Sequence, residues 1–178
     1  MNNETLKLLK SKVTLNSIKE LDKAVSRAVR AGISALKPRE IVFLAPNNKG
    51  RTFDAFYPKN CRLSFFSDEP LLIYLRLHPQ IIVRKEIPRI LEGNFQDKKL
   101  PTKIESKLKK LNINAVVPLF LNNQICGIFL LGWKKINQAQ TNGNFNLLKN
   151  FQTNVSKALI GVILYKEAIE RAVCLRIQ

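Results

Sequence analysis

The sequence predicts an α+β domain in which antiparallel β-hairpins are covered by long helices. The first observation is the stretch 115–135, AVVPLFLNNQICGIFLLGWKK, where two apolar runs of strand length flank a polar Asn122-Asn123-Gln124 turn. Asparagine tolerates the positive φ that tight hairpin turns require, so this stretch predicts a buried antiparallel hairpin. The second observation is the long amphipathic stretch that follows the hairpin. A hairpin this apolar needs a cover on at least one face, and this stretch can supply a helix that covers it.

Length and composition exclude several classes of protein. With 178 residues, 46% of them hydrophobic, the chain is long enough for one domain with a real core, and disorder is not expected. The longest apolar runs, such as residues 158–165, are far shorter than the roughly 20 residues that span a bilayer. No apolar stretch near the N-terminus has the length of a signal peptide, so we expect a cytoplasmic protein with no membrane segment in this chain.

The cysteines and the single histidine give no indication of a metal site or of catalysis. Cys61, Cys126 and Cys174 lie far apart with no CxxC pair, so reduced thiols are expected rather than a disulfide framework or a zinc site. His78 is the one candidate base, and the sequence offers no pattern of nucleophile, base and orienting group around it. We therefore expect no catalytic residue, no metal ion and no cofactor.

The net charge of +17 raises the question of a nucleic-acid or acidic-membrane partner. The basic residues are scattered, and the densest cluster is interrupted by Glu105 and has no interleaved aromatic residues on which bases could stack. That cluster consists of Lys98, Lys99, Lys103, Lys107, Lys109 and Lys110. A compositional drift toward Asn, Lys and Ile would produce the same charge without a partner, so a nucleic-acid-binding module is kept only as an alternative.

The N-terminal region predicts an amphipathic helix over residues 17–36. Ser17 has the position of an N-cap with Glu20 three residues later, which is the spacing of a capping box, and Lys37-Pro38 ends the helix. Its apolar and small residues recur at helical intervals: Ile18, Leu21, Val25, Ala28, Val29, Gly32, Ile33 and Leu36. Residues 1–16 have a weaker pattern and are interpreted as a separate lead-in.

A second hairpin is predicted from residues 41–45 and 52–57, which are joined by a Pro-Asn-Asn-Lys-Gly turn. Alternation along the second of these strands places Phe53, Ala55 and Tyr57 on one face. A third strand is predicted within 62–66.

The middle of the chain predicts short elements. A helix begins at Pro70, because proline suits the first turn of a helix, and ends at Pro79. The remaining elements of this region are an extended piece at 81–87, an irregular crossing segment at 88–101 and a helix at 102–111.

The last predicted element is a helix that Thr141 caps and that runs from about Asn142 to beyond Arg171. One stripe faces the sheet and comprises Leu148, Phe151, Val155, Leu159 and Val162. A second stripe of mostly small residues comprises Ala158, Gly161, Tyr165, Ala168 and Ala172. This second stripe could pack against residues 17–36 of the same chain, but we favour a seam between two subunits and hence a homodimer.

The order of these elements resembles a GAF domain, above all in the 115–135 hairpin followed by TNGNFNLLKNFQTNVSKALIGVILYKEAIERA. The nearest resemblance is to the GAF domains that precede the catalytic core of bacterial sensor histidine kinases. It spans residues 17–172 and leaves 1–16 as a lead-in and 173–178 as the end of a signalling helix. It implies a six-stranded antiparallel sheet with the N- and C-terminal helices packed on one face. The other face would carry a small-molecule pocket roofed by short helices and loops.

The signatures of the ligand-specific branches of that family are absent. The cyclic-nucleotide signature would need an Asn-Lys and then acidic residues, whereas residues 132–134 read GWK and the acidic positions hold Gly143 and Asn144. Neither Cys126 nor His78 stands in the Cys-His pair that holds a bilin. The cysteine motifs of members that reduce free methionine sulfoxide are missing too.

We therefore expect a non-enzymatic sensory or regulatory domain of a cytoplasmic signalling protein, with a histidine kinase or another output domain as its partner. Tyr74, Arg76, His78 and Arg84 lie on the segment that would roof the pocket, and the arginines favour an anionic ligand of unknown identity. His78 has a plainer interpretation as a structural helix cap. The alternatives are a basic nucleic-acid-binding module and a redox enzyme acting on methionine sulfoxide.

Overall fold

A six-stranded antiparallel sheet, with strand order β3-β2-β1-β6-β5-β4, forms the centre of the molecule. The computed structural model describes residues 3–47, 51–88, 99–133, 145–159 and 161, with side chains from residue 19 onward except residue 21. The strands are β1 (Glu40–Pro46), β2 (Thr52–Tyr57), β3 (Ser64–Phe66), β4 (Ile82–Val83), β5 (Ala115–Leu121) and β6 (Gln124–Gly132). The helices are α1 (Asn3–Leu36), α2 (Pro70–Leu77), α3 (Leu100–Lys110) and α4 (145–159, with residue 161 also helical).

The predicted hairpin of β5 and β6 is confirmed, and its turn has the expected backbone. Asn122 and Asn123 have φ angles of 49° and 61°, and Leu121 pairs directly with Gln124. Two central residues with positive φ are the signature of a type I′ turn, whose twist matches that of the flanking strands. Gln124 therefore begins β6 and is not part of the turn.

The second hairpin is confirmed as β1 and β2, but the predicted face of Tyr57 is wrong. Phe43 pairs with Tyr57 while Leu44 pairs with Ala55, so Phe56 is an extra residue in β2. Such a β-bulge reverses the alternation beyond it. Phe53 and Ala55 therefore face one side of the sheet, whereas Tyr57 packs on the other.

Helix α1 begins at Asn3, so the predicted start of this helix at Ser17 is wrong. Residues 3–16 contain neither glycine nor proline, and a capping-box sequence does not end a helix that its upstream residues continue. The helix ends where predicted, because Lys37 has a φ of 47° and Pro38 follows it. Within the part of the chain that the structure describes, no helix is both long and apolar enough to cross a bilayer.

The shorter predicted elements are present with shifted bounds. The helix that begins at Pro70 is α2, and the helix expected at 102–111 is α3. The extended piece predicted at 81–87 is only partly extended, because β4 passes directly into a 3-10 turn at Arg84–Glu86. Most of the predicted crossing segment 88–101, the predicted Thr141 cap and the end of the last helix lie outside the described residues.

Helices α1 and α4 pack together on one face of the sheet. The predicted sheet-facing stripe of α4 is confirmed as far as it is described, because Leu148, Phe151, Val155 and Leu159 are all buried in this core. The Phe129 ring lies 4.6 Å from that of Phe43 and 5.2 Å from that of Phe151, so strands and helix share one aromatic cluster.

Gly32 sets the distance between the two helices. A Cβ atom at this position would lie 2.8 Å from the Cε2 atom of Phe151, which is closer than side chains tolerate. The absence of a side chain at this point lets α1 lie against the Phe151 ring.

Candidate functional site

The face formed by α1 and α4 carries an exposed groove of about 630 Å³. The groove, called the helix groove below, is lined by Ala24, Arg27, Ala28, Ala31, Ala35, Leu147, Asn150, Phe151, Asn154, Val155 and Ala158. Its α1 wall consists mainly of alanines spaced four, three and four residues apart, which places them on one side of the helix. Small side chains along such a stripe leave room for another helix.

The predicted seam residues that the structure describes lie on this exposed side. Ala158 and Gly161 are exposed, and a Cβ atom at Gly161 would have no described atom within 4 Å. Tyr165, Ala168 and Ala172 lie outside the described residues. Ala31 and Ala35 were not among the predicted residues, although their helical spacing from Ala24 and Ala28 carried the signal.

On the opposite face of the sheet, the structure brings two of the predicted pocket residues together. The ring centroids of Tyr74 and His78 lie 4.8 Å apart, and the Gln80 amide donates a 2.8 Å hydrogen bond to the Tyr74 hydroxyl. Tyr74 is buried, and this burial raises the pKa of its phenol while the hydrogen bond from Gln80 opposes the rise. The Tyr74 phenol therefore stays protonated at neutral pH.

The two predicted arginines have different environments. Arg84 is half-buried, and its Nη1 atom donates a 3.0 Å hydrogen bond to the carbonyl oxygen of Ile113. Its backbone N–H donates to the carbonyl oxygen of Asn114 at 2.8 Å, so Arg84 joins the turn after β4 to the segment before β5. Arg76 is exposed in the last turn of α2.

The layer between the sheet and the helices α2 and α3 is filled by side chains. Sixteen of the described residues form its buried core, from Leu44 on β1 to Leu108 on α3. A smaller groove of about 200 Å³ lies beside this core and is called the α2–α3 groove below. It is lined by Phe65, Glu69, Pro70, Leu71, Lys103, Ile104, Lys107 and Leu108, and not by the four predicted pocket residues.

Glu69 and Lys107 provide the polar groups of the α2–α3 groove. The Glu69 carboxylate forms an ion pair with Lys107 and accepts a 3.2 Å hydrogen bond from the backbone N–H of Phe66. The Lys107 ammonium lies 4.2 Å from the centroid of the Phe65 ring, which adds a cation–π contact. The sequence places Lys107 in the lysine cluster, but nothing in it indicates that Lys107 would pair with Glu69.

Few thiol and carboxylate groups of the described residues are placed for metal binding or catalysis. No group of three or more His, Cys, Asp or Glu side chains in these parts of the chain is placed to hold a metal ion. The half-buried Cys126 thiol donates a 3.4 Å hydrogen bond to the carbonyl oxygen of Leu119, and burial raises its pKa. A raised pKa disfavours the thiolate, which is the reactive form of cysteine.

Comparison with solved structures decides the fold. The chain is similar to the GAF domain/HD domain protein of Geobacter sulfurreducens, with a TM-score of 0.59 and 15% identity over 82% of this chain and 95% of that one. The chain has the GAF fold. No family model matches its sequence, and no curated protein does either.

Two further structures with the GAF fold come from sensor kinases. The GAF domain of a two-component sensor histidine kinase from Bacillus halodurans matches with a TM-score of 0.52 and 18% identity, over 81% of this chain and 96% of that one. The GAF domain of the potassium sensor histidine kinase KdpD from Escherichia coli matches with a TM-score of 0.51 and 14% identity, over 89% of this chain and 99% of that one. The predicted GAF fold, with terminal helices on one sheet face and short helices on the other, is confirmed.

Proposed function

We propose that this chain is the sensory or regulatory GAF domain of a signalling protein, and that it acts as a homodimer through helices α1 and α4. The observation that carries the proposal is the helix groove, which is exposed and lined mainly by small and apolar side chains. Ile33 and Leu147 are exposed on the same two helices and add apolar surface that an association could cover. A second copy of the chain would cover all of it.

A dimer of this kind would let the domain transmit a signal to an output domain through its helices. Both α1 and α4 pack on the same sheet face, so a change in the sheet would alter how the two helices pack. Small rotations or translations of packed helices are a common means of transmitting a signal between domains. Two similar structures belong to sensor histidine kinases, which supports a histidine kinase as the output partner.

The input of the proposed sensor is a small molecule bound on the α2 and α3 side of the sheet. Arg76 is exposed on α2, the helix that carries Tyr74, and Arg84 is half-buried in the turn after β4, so an anion remains the favoured ligand class. Native mass spectrometry of the purified protein would detect a retained ligand as added mass. Apo protein that shows no thermal shift with any member of an anionic metabolite panel would contradict this part of the proposal.

Light scattering coupled to size exclusion tests the dimer. No described atom of the same subunit lies within 4 Å of a Cβ atom at Gly161, so Gly161→Leu should leave the fold intact and disrupt only a seam between subunits. We expect a dimeric wild type, a monomeric Gly161→Leu variant with an unchanged circular dichroism spectrum, and a dimeric Ser106→Leu control, whose change lies on α3.

Two outcomes would contradict the dimer. A wild type that is monomeric throughout the micromolar range would remove the basis of the proposal. A Gly161→Leu variant that unfolds, rather than dissociating, would place this stripe in contact with the rest of its own subunit.

We expect no redox activity on methionine sulfoxide, because burial raises the pKa of the half-buried Cys126 thiol and so disfavours its reactive thiolate. Turnover of methionine sulfoxide that is lost in a Cys61→Ser or Cys126→Ser variant would contradict this expectation.

A further inference from the structure

The exposed large apolar side chains divide between two opposite faces of the molecule. Ile33 and Leu147 lie on the α1 and α4 side, where the proposed dimer would cover them. Of the other three in the described set, Ile73 and Leu77 are 40% and 67% exposed, and Phe66 is 64% exposed at the end of β3, where its side chain alternates with the buried Phe65 and so points away from the α2 and α3 side. Ile73 and Leu77 are one turn apart on the outer side of α2, whose inner side is buried in the core. The proposed dimer leaves Ile73 and Leu77 in water.

The outer side of α3 is cationic. Lys99, Lys103, Lys107 and Lys110 recur at steps of four, four and three residues, so they share one side of the helix. With Thr102 and Ser106 they line a shallow surface depression of about 600 Å³. The opposite side of α3 is apolar and is buried against the sheet through Ile104 and Leu108.

These apolar and cationic side chains lie in one layer of the molecule. Helices α2 and α3 pack on the same face of the sheet, so the sides opposite their buried residues both point away from it. Glu69 joins the two helices directly, since it is the N-cap residue of α2 and its carboxylate pairs with Lys107 on α3. The exposed side of the two helices, with Ile73, Leu77 and the four lysines, is called the α2–α3 face below.

We propose that the α2–α3 face docks on the surface of an anionic lipid bilayer. Peripheral membrane surfaces combine apolar side chains that enter the headgroup region with lysines that attract acidic lipids, and this face has both. The net charge of +17 strengthens the attraction at long range. Aliphatic Ile73 and Leu77 cannot stack on bases, which favours a lipid surface over a nucleic acid. The face lies opposite the helix groove, so docking does not depend on the proposed dimer.

Vesicle co-sedimentation of the full chain tests this proposal at about 0.15 M salt, where exposed charges are partly screened. We expect binding to vesicles of equimolar phosphatidylglycerol and phosphatidylcholine, and none to phosphatidylcholine alone. Each lysine near such a surface is worth about fivefold in affinity, so Lys103→Gln with Lys110→Gln should weaken binding about 25-fold. The matched control, Lys23→Gln with Lys157→Gln, removes the same charge from exposed positions on α1 and α4 and should change the affinity by no more than about twofold.

A second variant separates the apolar contribution from charge. Ile73→Ser with Leu77→Ser should weaken vesicle binding severalfold and leave the circular dichroism spectrum unchanged, since both side chains are exposed. Leu77→Ser alone serves if the double variant unfolds.

Three results would overturn the proposal. The first is a wild type that does not bind the anionic vesicles, and the second is an equal loss in the two lysine pairs, which would reflect net charge alone. The third is binding to random-sequence duplex DNA that is tighter than binding to the vesicles at the same salt concentration. If the Ile73 and Leu77 variants retain that DNA binding, the face would be assigned to nucleic acid.

Discussion

The indole Nε1 atom of Trp133 donates a 2.8 Å hydrogen bond to the carbonyl oxygen of Leu36, the last residue of α1. The backbone N–H of Trp133 donates in turn to the Oδ1 atom of Asn114, at 2.6 Å. Asn114 is buried, and its own N–H donates to the carbonyl oxygen of Leu131. One buried network therefore joins the end of α1, the end of β6 and the segment that enters β5. It satisfies a carbonyl that a helix end would otherwise leave unpaired.

We expect Trp133→Phe to destabilise the protein, because the Leu36 carbonyl would lose its partner in a buried site. Leaving a buried acceptor unsatisfied costs about 1–3 kcal/mol of unfolding free energy, and the smaller ring adds a cavity cost. Urea denaturation followed by circular dichroism measures the change. The control is Phe66→Leu, an exposed aromatic position where a change within about 0.5 kcal/mol is expected. Equal stability of the two variants would show that the Trp133 hydrogen bond contributes nothing.

Gly32→Ala should also destabilise the protein, although alanine favours helices over glycine by about 1 kcal/mol. The new Cβ atom would meet the Phe151 ring at 2.8 Å, and that ring is buried edge-on against Phe129. Overpacking of this kind costs about 1–3 kcal/mol, so the net effect is a loss of up to about 2 kcal/mol.

A double-mutant cycle with Phe151→Leu isolates this contact. In the Phe151→Leu background the same Gly32→Ala change should cost less, or even stabilise the protein, because the clashing ring is gone. Additive effects in the cycle would contradict the close packing of α1 on Phe151.

The β5–β6 turn should respond to substitution according to the sign of φ. Asn123 has a φ of 61°, so Asn123→Gly should be neutral or stabilising while Asn123→Ala should cost about 1 kcal/mol of unfolding free energy. Gln124→Ala, at the exposed neighbouring residue, is the control and should change stability by less than about 0.5 kcal/mol. Thermal or urea unfolding of the three variants gives the comparison. An Asn123→Ala variant as stable as Asn123→Gly would argue against a type I′ turn.

The sequence predicted those parts of the fold in which a local sequence pattern agrees with what the packing of the whole domain requires. The Asn122-Asn123 turn supplies positive φ between two apolar strands, and the α4 stripe follows helical spacing. The start of α1 was missed because a capping box is a local preference that a continuing helix overrides. The bulge at Phe56 was missed because alternation contains no signal for one extra residue.

The candidate surfaces were harder to predict because they depend on which elements become neighbours. The pairing of Glu69 with Lys107 joins residues 38 positions apart, and only the packing of α2 against α3 brings them together. The lysine cluster was visible as composition, but its alignment on one side of α3 required the fold. Tyr74 and His78 were predicted on one segment, and their ring contact follows from their spacing of four residues on α2 and its end.

Cysteine cross-linking at position 158 tests the central claim, a homodimer through the α1 and α4 face, most directly. In a background with Cys61, Cys126 and Cys174 replaced by serine, an Ala158→Cys variant would be treated with a short bis-maleimide reagent. We predict a covalent dimer in high yield from Ala158→Cys and only monomer from the control Ser106→Cys, on the opposite face. Equal yields from the two variants, or a dimer from the control alone, would contradict the account.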